Sequence, residues 1–399
     1  MLIGIDFGTC NSSAAVMLNG TLRLVKEPLK HSYSFPSSVY LTPKGEILVG
    51  EAAERNRRGD IRRYRREFKR ELGQNQPYLV GELSLTPQDL VTEVLKKLKN
   101  EAEKMTKSLA QGRMTDAVVT VPATYAKYKR DLMKQAAISA GFTSVKILEE
   151  PITAAIYYAY QNKNNFTFKE REIILIYDLG GGTFDTILIQ KQGNSFQIIS
   201  TAMGLENCGG TDFDRKIFGD ILNRCSRDLR QQLVPKNAFR AKAVVSELCV
   251  DIKHQLSEAQ EATIEIPIDL GKAESYQLTR TAFNQMIAPY VEETIRKCDE
   301  LINSAGMEWK DINQVLMVGG SCRIPCVQDA IQKKIGHSPL LVDEPELAVC
   351  QGAVMYGEQR LEQERLEREA RILDEKEQLL KKDSDPFNLK NKNNRNDWF

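Results

Sequence analysis

The sequence predicts an α/β protein built of two lobes, each presenting the tip of a β-hairpin. The first observation is a strand that ends near Asp6, followed by a turn rich in glycine and threonine and then by a second strand. The same pattern returns around Asp178, 172 residues later. The second observation is the alternation of strand and helix patterns over residues 116–190, which is typical of an α/β core. The third is the length of 399 residues, enough for two or three domains.

The elements of the first lobe follow from local patterns. Two strands, LIGIDFGT and AAVMLNG, are joined by the polar turn CNSS. A capping box predicts a helix over residues 86–110, with Thr86 as N-cap, Pro87 at the first position and Asp89 as the acidic partner. The next elements are a strand at Asp116–Pro122, a helix at Lys127–Ala140 with Gly141 as C-cap, the strand SVKILEE and a helix at Pro151–Tyr160.

The second lobe repeats this scheme. A hairpin formed by IILIYDLGGGT and FDTILIQ leads to helices around residues 211–230, 239–258 and 281–304, then to the strand of QVLMVGGSCRIP. Another helix begins near Glu346. From about Gly357 the chain becomes charge-dense and free of glycine, which predicts a solvated C-terminal helix over 358–383. Its leucine repeat is too short to favour a coiled coil. The polar tail over 384–399 is expected to be disordered.

Composition excludes several classes of protein. The 55 basic and 54 acidic residues give a net charge of +1, which argues against a protein that binds polyanions over its whole surface. The apolar runs are too short for a membrane span and the start does not resemble a signal peptide, so we expect a cytoplasmic protein. Eight cysteines without a CxxC pair indicate free thiols, and three scattered histidines argue against a zinc site.

Two turns carry the strongest chemical signal: the first turn, Gly8–Cys10, and the second turn, Gly180–Thr183. Glycines at a turn let backbone N–H groups converge on an anion, because no Cβ blocks their approach. Either turn alone is compatible with an ordinary hairpin. If both face one cleft, they could hold a triphosphate, with Asp6 and Asp178 bridged to it by Mg²⁺. The GxxxxGK[ST] phosphate loop does not occur.

Six motifs in order resemble the nucleotide-binding domain of the seventy-kilodalton heat-shock chaperones of the DnaK type: GIDFGTCNS, VTVPATY, EEPITAA, YDLGGGTFD, GGTDFD and VLMVGGSCRIP. The resemblance covers about residues 1–357. It implies the two-lobed actin-like ATPase fold, in which the two lobes are copies of one α/β core and each carries an inserted subdomain. The expected boundaries are 1–165 for lobe I, with an insert at about 36–114, and 166–357 for lobe II, with an insert at about 209–289.

The resemblance also implies roles for individual residues. Asp6 and Asp178 would hold hydrated Mg²⁺, while Glu150 and Asp185 would position water around it. The segment EFKRELG places the catalytic lysine at Lys69. Asp178 and Thr183 also belong to the catalytic set, and Pro122 and Arg130 resemble the pair that relays nucleotide state to a partner domain. The implied contacts to ATP or ADP are Gly8, Thr9, Cys10, Gly180, Gly181, Gly182, Thr183, Gly209, Gly210, Lys253, His254, Ser257, Gly319, Gly320, Ser321, Arg323 and Glu346.

Four positions depart from the family pattern. Cys10 replaces a threonine, Val250 a ribose-binding glutamate, His254 an adenine-stacking arginine and Glu346 an aspartate. These changes leave the phosphate and metal chemistry in place and weaken the contacts to the nucleoside. We therefore expect weaker ATP binding than is usual in the family.

The same resemblance suggests a slow ATPase that works with partner proteins, either a J-domain-type co-chaperone or a nucleotide-exchange factor, and that is itself a monomer. The family's apolar linker and peptide-clamping β-sandwich have no counterpart in this sequence, since only about 40 residues follow the resembling region. Three alternatives stay open: a small-molecule kinase of the same superfold, a filament-forming or scaffolding protein that senses nucleotide, and a pseudo-ATPase.

A basic run at Arg55–Arg70 has two interpretations. Its nine basic residues could form a surface for nucleic acid. They could also belong to a solvated helix whose end delivers Lys69 to the cleft. Few aromatic residues are interleaved, so the second interpretation is favoured.

Overall fold

The computed structural model describes residues 1–74, 76–107, 112–163, 167–193, 195–235, 238–268, 271–342 and 344–383, with the backbone alone for 195, 345, 346, 374 and 377–383. The strands are β1 (Leu2–Phe7), β2 (Asn11–Leu18), β3 (Thr21–Leu24), β4 (Ser34–Pro36), β5 (Ser38–Leu41), β6 (Ile47–Val49), β7 (Tyr64–Arg66), β8 (Tyr78–Val80), β9 (Leu83–Leu85), β10 (Asp116–Val121), β11 (Ser144–Glu149), β12 (Ile173–Leu179), β13 (Thr183–Gln192), β14 (Ser195–Ile198), β15 (Met203–Glu206), β16 (Glu261–Ile268), β17 (Lys272–Thr279), β18 (Gln314–Val318) and β19 (Leu340–Leu341). The helices are α1 (Glu51–Asn56), α2 (Pro87–Lys107), α3 (Lys127–Ser139), α4 (Glu150–Gln161), α5 (Gly210–Arg224), α6 (Arg227–Leu233), α7 (Phe239–Glu258), α8 (Arg280–Ser304), α9 (Pro325–Ile335) and α10 (Pro345–Asp383).

Two six-stranded sheets with the same topology form the centres of the lobes. Their main orders are β3-β2-β1-β10-β11 and β14-β13-β12-β18-β19. In both sheets the central strand, β1 or β12, pairs antiparallel with the strand that follows it and parallel with a strand far along the chain. The duplication expected from the two hairpin motifs is therefore present, and with it the actin-like two-lobed fold.

Smaller elements are inserted in each lobe. The first lobe carries the sheet β6-β5-β7 and the hairpin β8–β9, and the second carries the hairpin β16–β17 beside α5, α6 and α7. Both lobes belong to one compact unit that ends at Met355, and the described residues from Tyr356 onward form a second unit. The lobe and insert boundaries given above remain predictions.

Helix ends follow the capping signals in the sequence. At the start of α2, Asp89 N donates to Thr86 Oγ1 at 3.1 Å, and Thr86 N donates to Asp89 Oδ2 at 2.8 Å, so the capping box is confirmed. The predicted helical stretch around 211–230 is divided into α5 and α6. Ser226 starts α6 by accepting a hydrogen bond from Leu229 N at 3.2 Å.

Each sheet is covered by its own buried apolar cluster. In the first lobe, β1 and α2 contribute residues such as Ile5 and Val94, and in the second, β12 and α8 contribute residues such as Leu175 and Ile287. Apolar packing on the faces of the sheets thus holds them in place, and the ends of β1 and β12 do not have to contribute to this packing.

The charged C-terminal helix continues from the helix predicted to begin near Glu346, so the two form one element, α10. Its described side chains from Arg360 onward are exposed, Leu366 and Leu373 among them. Pairs such as Arg360–Glu364, at 3.2 Å, support the helix along its own surface. The predicted tail at 384–399 lies outside the described residues. No helix in the described part of the chain combines the length and the apolar character needed to cross a membrane.

Candidate functional site

The two glycine-rich turns lie against each other between the lobes. Asp6 and Asp178 are the penultimate residues of β1 and β12, so each central strand delivers a carboxylate to the start of its turn. A Cβ placed on Gly181 would lie only 2.7 Å from Cys10 Sγ. The structure therefore brings together two acidic turns that are far apart in the sequence.

A buried lysine stands among the carboxylates behind these turns. Lys69 Nζ donates to Glu150 Oε1 at 2.9 Å, and the two side chains are 7% and 11% exposed. Burial is the largest single influence and disfavours the charged lysine, but Glu150, Tyr125 and Asp6 together outweigh it and raise the pKa of Lys69. Asp6, Glu150, Asp178 and Lys69 all interact electrostatically, as the resemblance implied.

The aspartates of this group hold their protons unusually strongly. Burial and the charge of Glu150 raise the pKa of Asp6 to about 7. The pKa of Asp185 rises to about 6 because of burial, although Thr124 Oγ1 donates to its Oδ1 at 2.6 Å. Burial raises the pKa of Asp178 well above its usual range, and neighbouring carboxylates add to the effect. The site therefore carries more buried acid than its own cation balances.

The start of α5 closes over the second turn. A Cβ on Gly209 would lie 2.5 Å from Gly182 N, so this packing requires glycine. Gly210 N donates to Gly180 O at 3.1 Å, and Ser321 Oγ donates to the same carbonyl at 2.8 Å. The predicted motifs GGGT, GGTDFD and GGSCR are thus adjacent in space.

The first turn is held from its own lobe and touches the second. Ser37 Oγ donates to Gly8 O at 2.8 Å. Cys10 Sγ lies 3.1 Å from Thr211 Oγ1 at the start of α5. Thr9 and Thr183 line one cavity together with Lys69 and Asp185, so both turn threonines face the carboxylate group.

One of the predicted nucleoside contacts on α7, Lys253, reaches the start of α5. Lys253 Nζ donates to Gly210 O at 3.0 Å and pairs with Asp214 at 2.8 Å. Burial lowers the pKa of His254, and the charges of Lys253 and Arg323 act in the same direction. A histidine at this position is therefore favoured in its neutral form, beside the arginine expected to contact adenosine.

The remaining predicted contacts are distributed unevenly. Gly319 has φ +88°, and a Cβ there would lie 2.4 Å from Leu179 O, so only glycine fits. Gly320 borders open space. Ser257 Oγ donates to Lys253 O at 3.4 Å, within its own helix. The side chain of Glu346 lies outside the described residues.

The basic run Arg55–Arg70 is not the helix that the sequence suggested. Helix α1 ends at Asn56, and the segment continues as a 3₁₀ turn at Ile61–Arg63, strand β7 and further turns. All nine basic side chains have partners, so the run does not form a free cationic surface. The partners include Glu51 for Arg55, Glu247 for Arg57 and Arg58, Asp60 for Arg62 and Arg63, Leu79 O for Arg65, Glu67 for Arg66 and Arg70, and Glu150 for Lys69.

The pair Pro122 and Arg130 lies on the loop and helix behind the site. Pro122 is buried against the cavity that contains Lys69. Arg130 Nη1 donates to Glu149 at 2.6 Å, and its Nε donates to Tyr125 O at 2.8 Å. Glu149 directly precedes Glu150, so the arginine is linked through the backbone to the partner of Lys69.

The donor set suits a hydrated Mg²⁺. Four carboxylates interact around Lys69: Asp6, Glu150, Asp178 and Asp185. A divalent cation would relieve the repulsion between their negative charges. No group of three or more His, Cys, Asp or Glu side chains in the described residues is arranged to ligate a metal directly. Magnesium commonly keeps several waters and one or two carboxylates, so this spacing fits binding through water.

A family model described as "Hsp70 protein" matches residues 2–79 and 77–374. The chain belongs to the Hsp70 family. Hsp70 proteins are ATP-binding chaperones with ATPase activity, they bind ATP or ADP with Mg²⁺, and they typically work with J-domain and nucleotide-exchange partners. Membership therefore favours a chaperone-type function over the small-molecule kinase considered from the sequence.

Four residues of this Hsp70 site were not singled out from the sequence: Thr120, Thr124, Arg70 and Asp212. Thr124 donates to Asp185, Thr120 Oγ1 donates to Asp6 Oδ1 at 3.4 Å, and Arg70 pairs with Asp212 at 3.4 Å. The motif VTVPATY contains both threonines and GGTDFD contains the aspartate, but neither motif reveals which side chain points into the cleft. Only the folded chain supplies that direction.

Proposed function

We propose that this Hsp70 protein binds Mg²⁺–ATP between its lobes and hydrolyses it slowly, as a chaperone-type switch that partner proteins regulate. The observation that carries the proposal is the buried Lys69–Glu150 pair beside Asp6, Asp178 and Asp185, where the two glycine turns meet. Positioning and electrostatic stabilisation are the main requirements of phosphoryl transfer, and this arrangement supplies both.

In this proposal the two turns bind the β- and γ-phosphates through backbone N–H groups and the hydroxyls of Thr9 and Thr183. Asp6 and Asp178 would hold Mg²⁺ through its waters. When bound, the metal neutralises charge on the phosphate oxygens. Lys69 already has one acceptor in Glu150, and its remaining N–H groups can donate to the γ-phosphoryl group.

Hydrolysis joins the oxygen of a water molecule to the γ-phosphorus and breaks the bond from that phosphorus to the β–γ bridging oxygen. The products are ADP and inorganic phosphate, and the water's protons pass to phosphate and solvent. Asp185 and Glu150 orient the water, while Lys69 stabilises the negative charge on the phosphoryl oxygens. Incomplete positioning of the water accounts for slow turnover, which a J-domain-type partner would accelerate.

The departures on the nucleoside side lower affinity in this proposal. Val250 offers no hydrogen bond to a ribose hydroxyl, and a neutral His254 provides weaker stacking electrostatics than arginine. Calorimetric titration with ADP and Mg²⁺ is expected to give a dissociation constant weaker than nanomolar. Nanomolar binding would show that these departures do not matter.

Steady-state ATP hydrolysis without any added acceptor tests the proposal. Wild type should release phosphate, whereas Asp6→Ala and Lys69→Ala should lose roughly 100-fold or more in rate, as removal of one charge-stabilising group typically does. Lys96→Ala is the matched control, because its partner Glu93 lies on the same exposed helix face and Lys96 is 43% exposed. Equal rates for all four proteins would refute the assignment of the site.

A further inference from the structure

A cavity of about 320 Å³ lies behind the two turns, on the side of Lys69. Its walls come from the loop that leads into α3 and from the end of β15, and they reach Thr9, Lys69 and Thr183. At roughly 30 Å³ per water in the liquid, this volume is ample for an ion with five heavy atoms. The cavity therefore adjoins the position proposed for the γ-phosphoryl group.

Burial along the walls shows that the cavity runs from the site to the surface. Thr9, Lys69 and Asp185 at one end are buried. Ala126 and Tyr128 at the other end are exposed. The cavity therefore connects the carboxylate group with solvent near the start of α3.

The walls carry cations along this length. Lys69 at the buried end is paired with Glu150, and Arg70 beside the second turn is paired with Glu67 and Asp212. Lys129 lies near the mouth, where its Nζ is 5.2 Å from the centre of the Tyr125 ring. The 13-residue helix α3 begins at the mouth, and its N-cap Ala126 makes no side-chain capping bond. A helix N-terminus carries partial positive charge, which adds to the attraction for an anion.

The opposite side of the site is bridged by ion pairs between the first lobe and α7. Arg57, 8% exposed, pairs with Glu247 of α7 at 2.5 Å, and Arg58 pairs with the same carboxylate. These contacts join the insert of the first lobe to α7, the helix that carries Lys253 and His254. In the proposed function ADP lies against α7, so phosphate leaving on that side would have to pass the bound nucleotide.

We propose that inorganic phosphate leaves through this rear cavity while ADP is still bound. The inference rests on the proposed ATPase function and adds to it the route by which phosphate leaves. The released ion, HPO₄²⁻ at neutral pH, moves past Arg70 and Lys129 without making or breaking a covalent bond. Glu206, the acidic residue near the mouth, is exposed to solvent, so its charge is screened.

The test separates cleavage, phosphate release and ADP release in the full chain. Acid-quenched reactions measure cleavage, a fluorescent phosphate sensor measures free phosphate, and a fluorescent ADP analogue measures ADP dissociation. Ala126→Trp places a bulky side chain at the mouth, and Ala126→Ser is its control. Lys129→Ala removes the cation at the mouth, and Lys127→Ala, on the same helix turn and outside the cavity lining, is its control.

We expect wild type to release phosphate before ADP. Ala126→Trp should slow phosphate release about tenfold with cleavage and ADP dissociation unchanged, since product release is a separate step. Lys129→Ala should slow release about two- to threefold, and less at high salt, whereas Lys127→Ala should match wild type. The lysine pair decides the question if the tryptophan variant does not fold.

Two results would overturn the exit route while leaving the ATPase in place: phosphate and ADP leaving together in every variant, or the tryptophan slowing cleavage rather than release. Absence of cleavage in the acid-quenched wild-type reaction would instead refute the proposed function, and the exit route with it.

Discussion

Removal of the Lys69 side chain is the sharpest perturbation of this Hsp70 site. The Lys69–Glu150 pair is nearly solvent-free, with exposures of 7% and 11%, so it belongs with buried rather than surface ion pairs. Breaking a buried pair from one side typically costs about 3–5 kcal/mol, because the partner charge stays buried without compensation. We expect Lys69→Ala to lower the free energy of unfolding by that amount in EDTA at pH 8.

The stability lost in Lys69→Ala should depend on pH, and the pKa values of the neighbouring carboxylates set the direction of that dependence. The pKa values of Asp6 and Asp185 are raised to about 7 and 6, so the folded state binds protons that the unfolded chain releases. Stability associated with these groups is present below about pH 4 and is lost as the pH rises towards 7. The deficit of Lys69→Ala should therefore shrink between pH 8 and pH 5, as Asp6 and Asp185 take up protons.

Urea unfolding followed by tryptophan fluorescence measures this effect. Lys96→Ala is the control, since exposed pairs contribute about 0–1 kcal/mol. Lys69→Ala with Glu150→Gln should be more stable than Lys69→Ala alone, because the double variant leaves no unpaired Glu150 charge. The reasoning fails if Lys69→Ala and Lys96→Ala unfold at the same urea concentration, or if the double variant is the least stable of the three.

Three further results are expected. Mg²⁺ with ADP should raise the melting temperature more at pH 8 than at pH 6. The reason is that the metal relieves the excess negative charge around Asp6, which protons relieve at lower pH. Scanning fluorimetry that shows no dependence on Mg²⁺ would contradict this. Gly209→Ala should weaken ADP binding about tenfold or more, because the added methyl group pushes α5 away from the second turn. The control is Gly219→Ala, which lies in open space within α5 and should keep the affinity and gain about 0.5–1 kcal/mol of stability. Calorimetry measures the affinity, and urea unfolding measures the stability. Arg57→Ala should speed dissociation of a fluorescent ADP analogue several-fold, since it breaks a contact between the lobes. Arg62→Ala should not change this rate, because its partner Asp60 lies in the same loop. Identical dissociation rates for the two variants would show that the contact of Arg57 does not hold the cleft closed.

Much of the fold was predictable because it depends on local patterns. The capping box at Thr86 and Asp89 fixed the start of α2, and the two strand–turn–strand motifs predicted duplicated sheets. The segment from Arg55 to Arg70 was misjudged as a solvated helix, because its charges read as exposed. They are partnered mainly by acidic groups, some of which are distant in sequence, such as Glu247.

By itself the sequence indicated which residues could do the chemistry: Asp6 and Asp178 each lie one residue before the end of a strand and two residues before a glycine, so their local geometry was set by a few neighbours. The tertiary structure alone decided that Lys69 meets Glu150 across 81 residues, that Thr124 holds Asp185, and that a cavity opens behind them. Such contacts depend on how the two sheets pack against each other, and no short stretch of the chain determines that packing. For the same reason, the raised pKa values of the aspartates at the site follow from burial, which is a property of the packed molecule and of no single residue type.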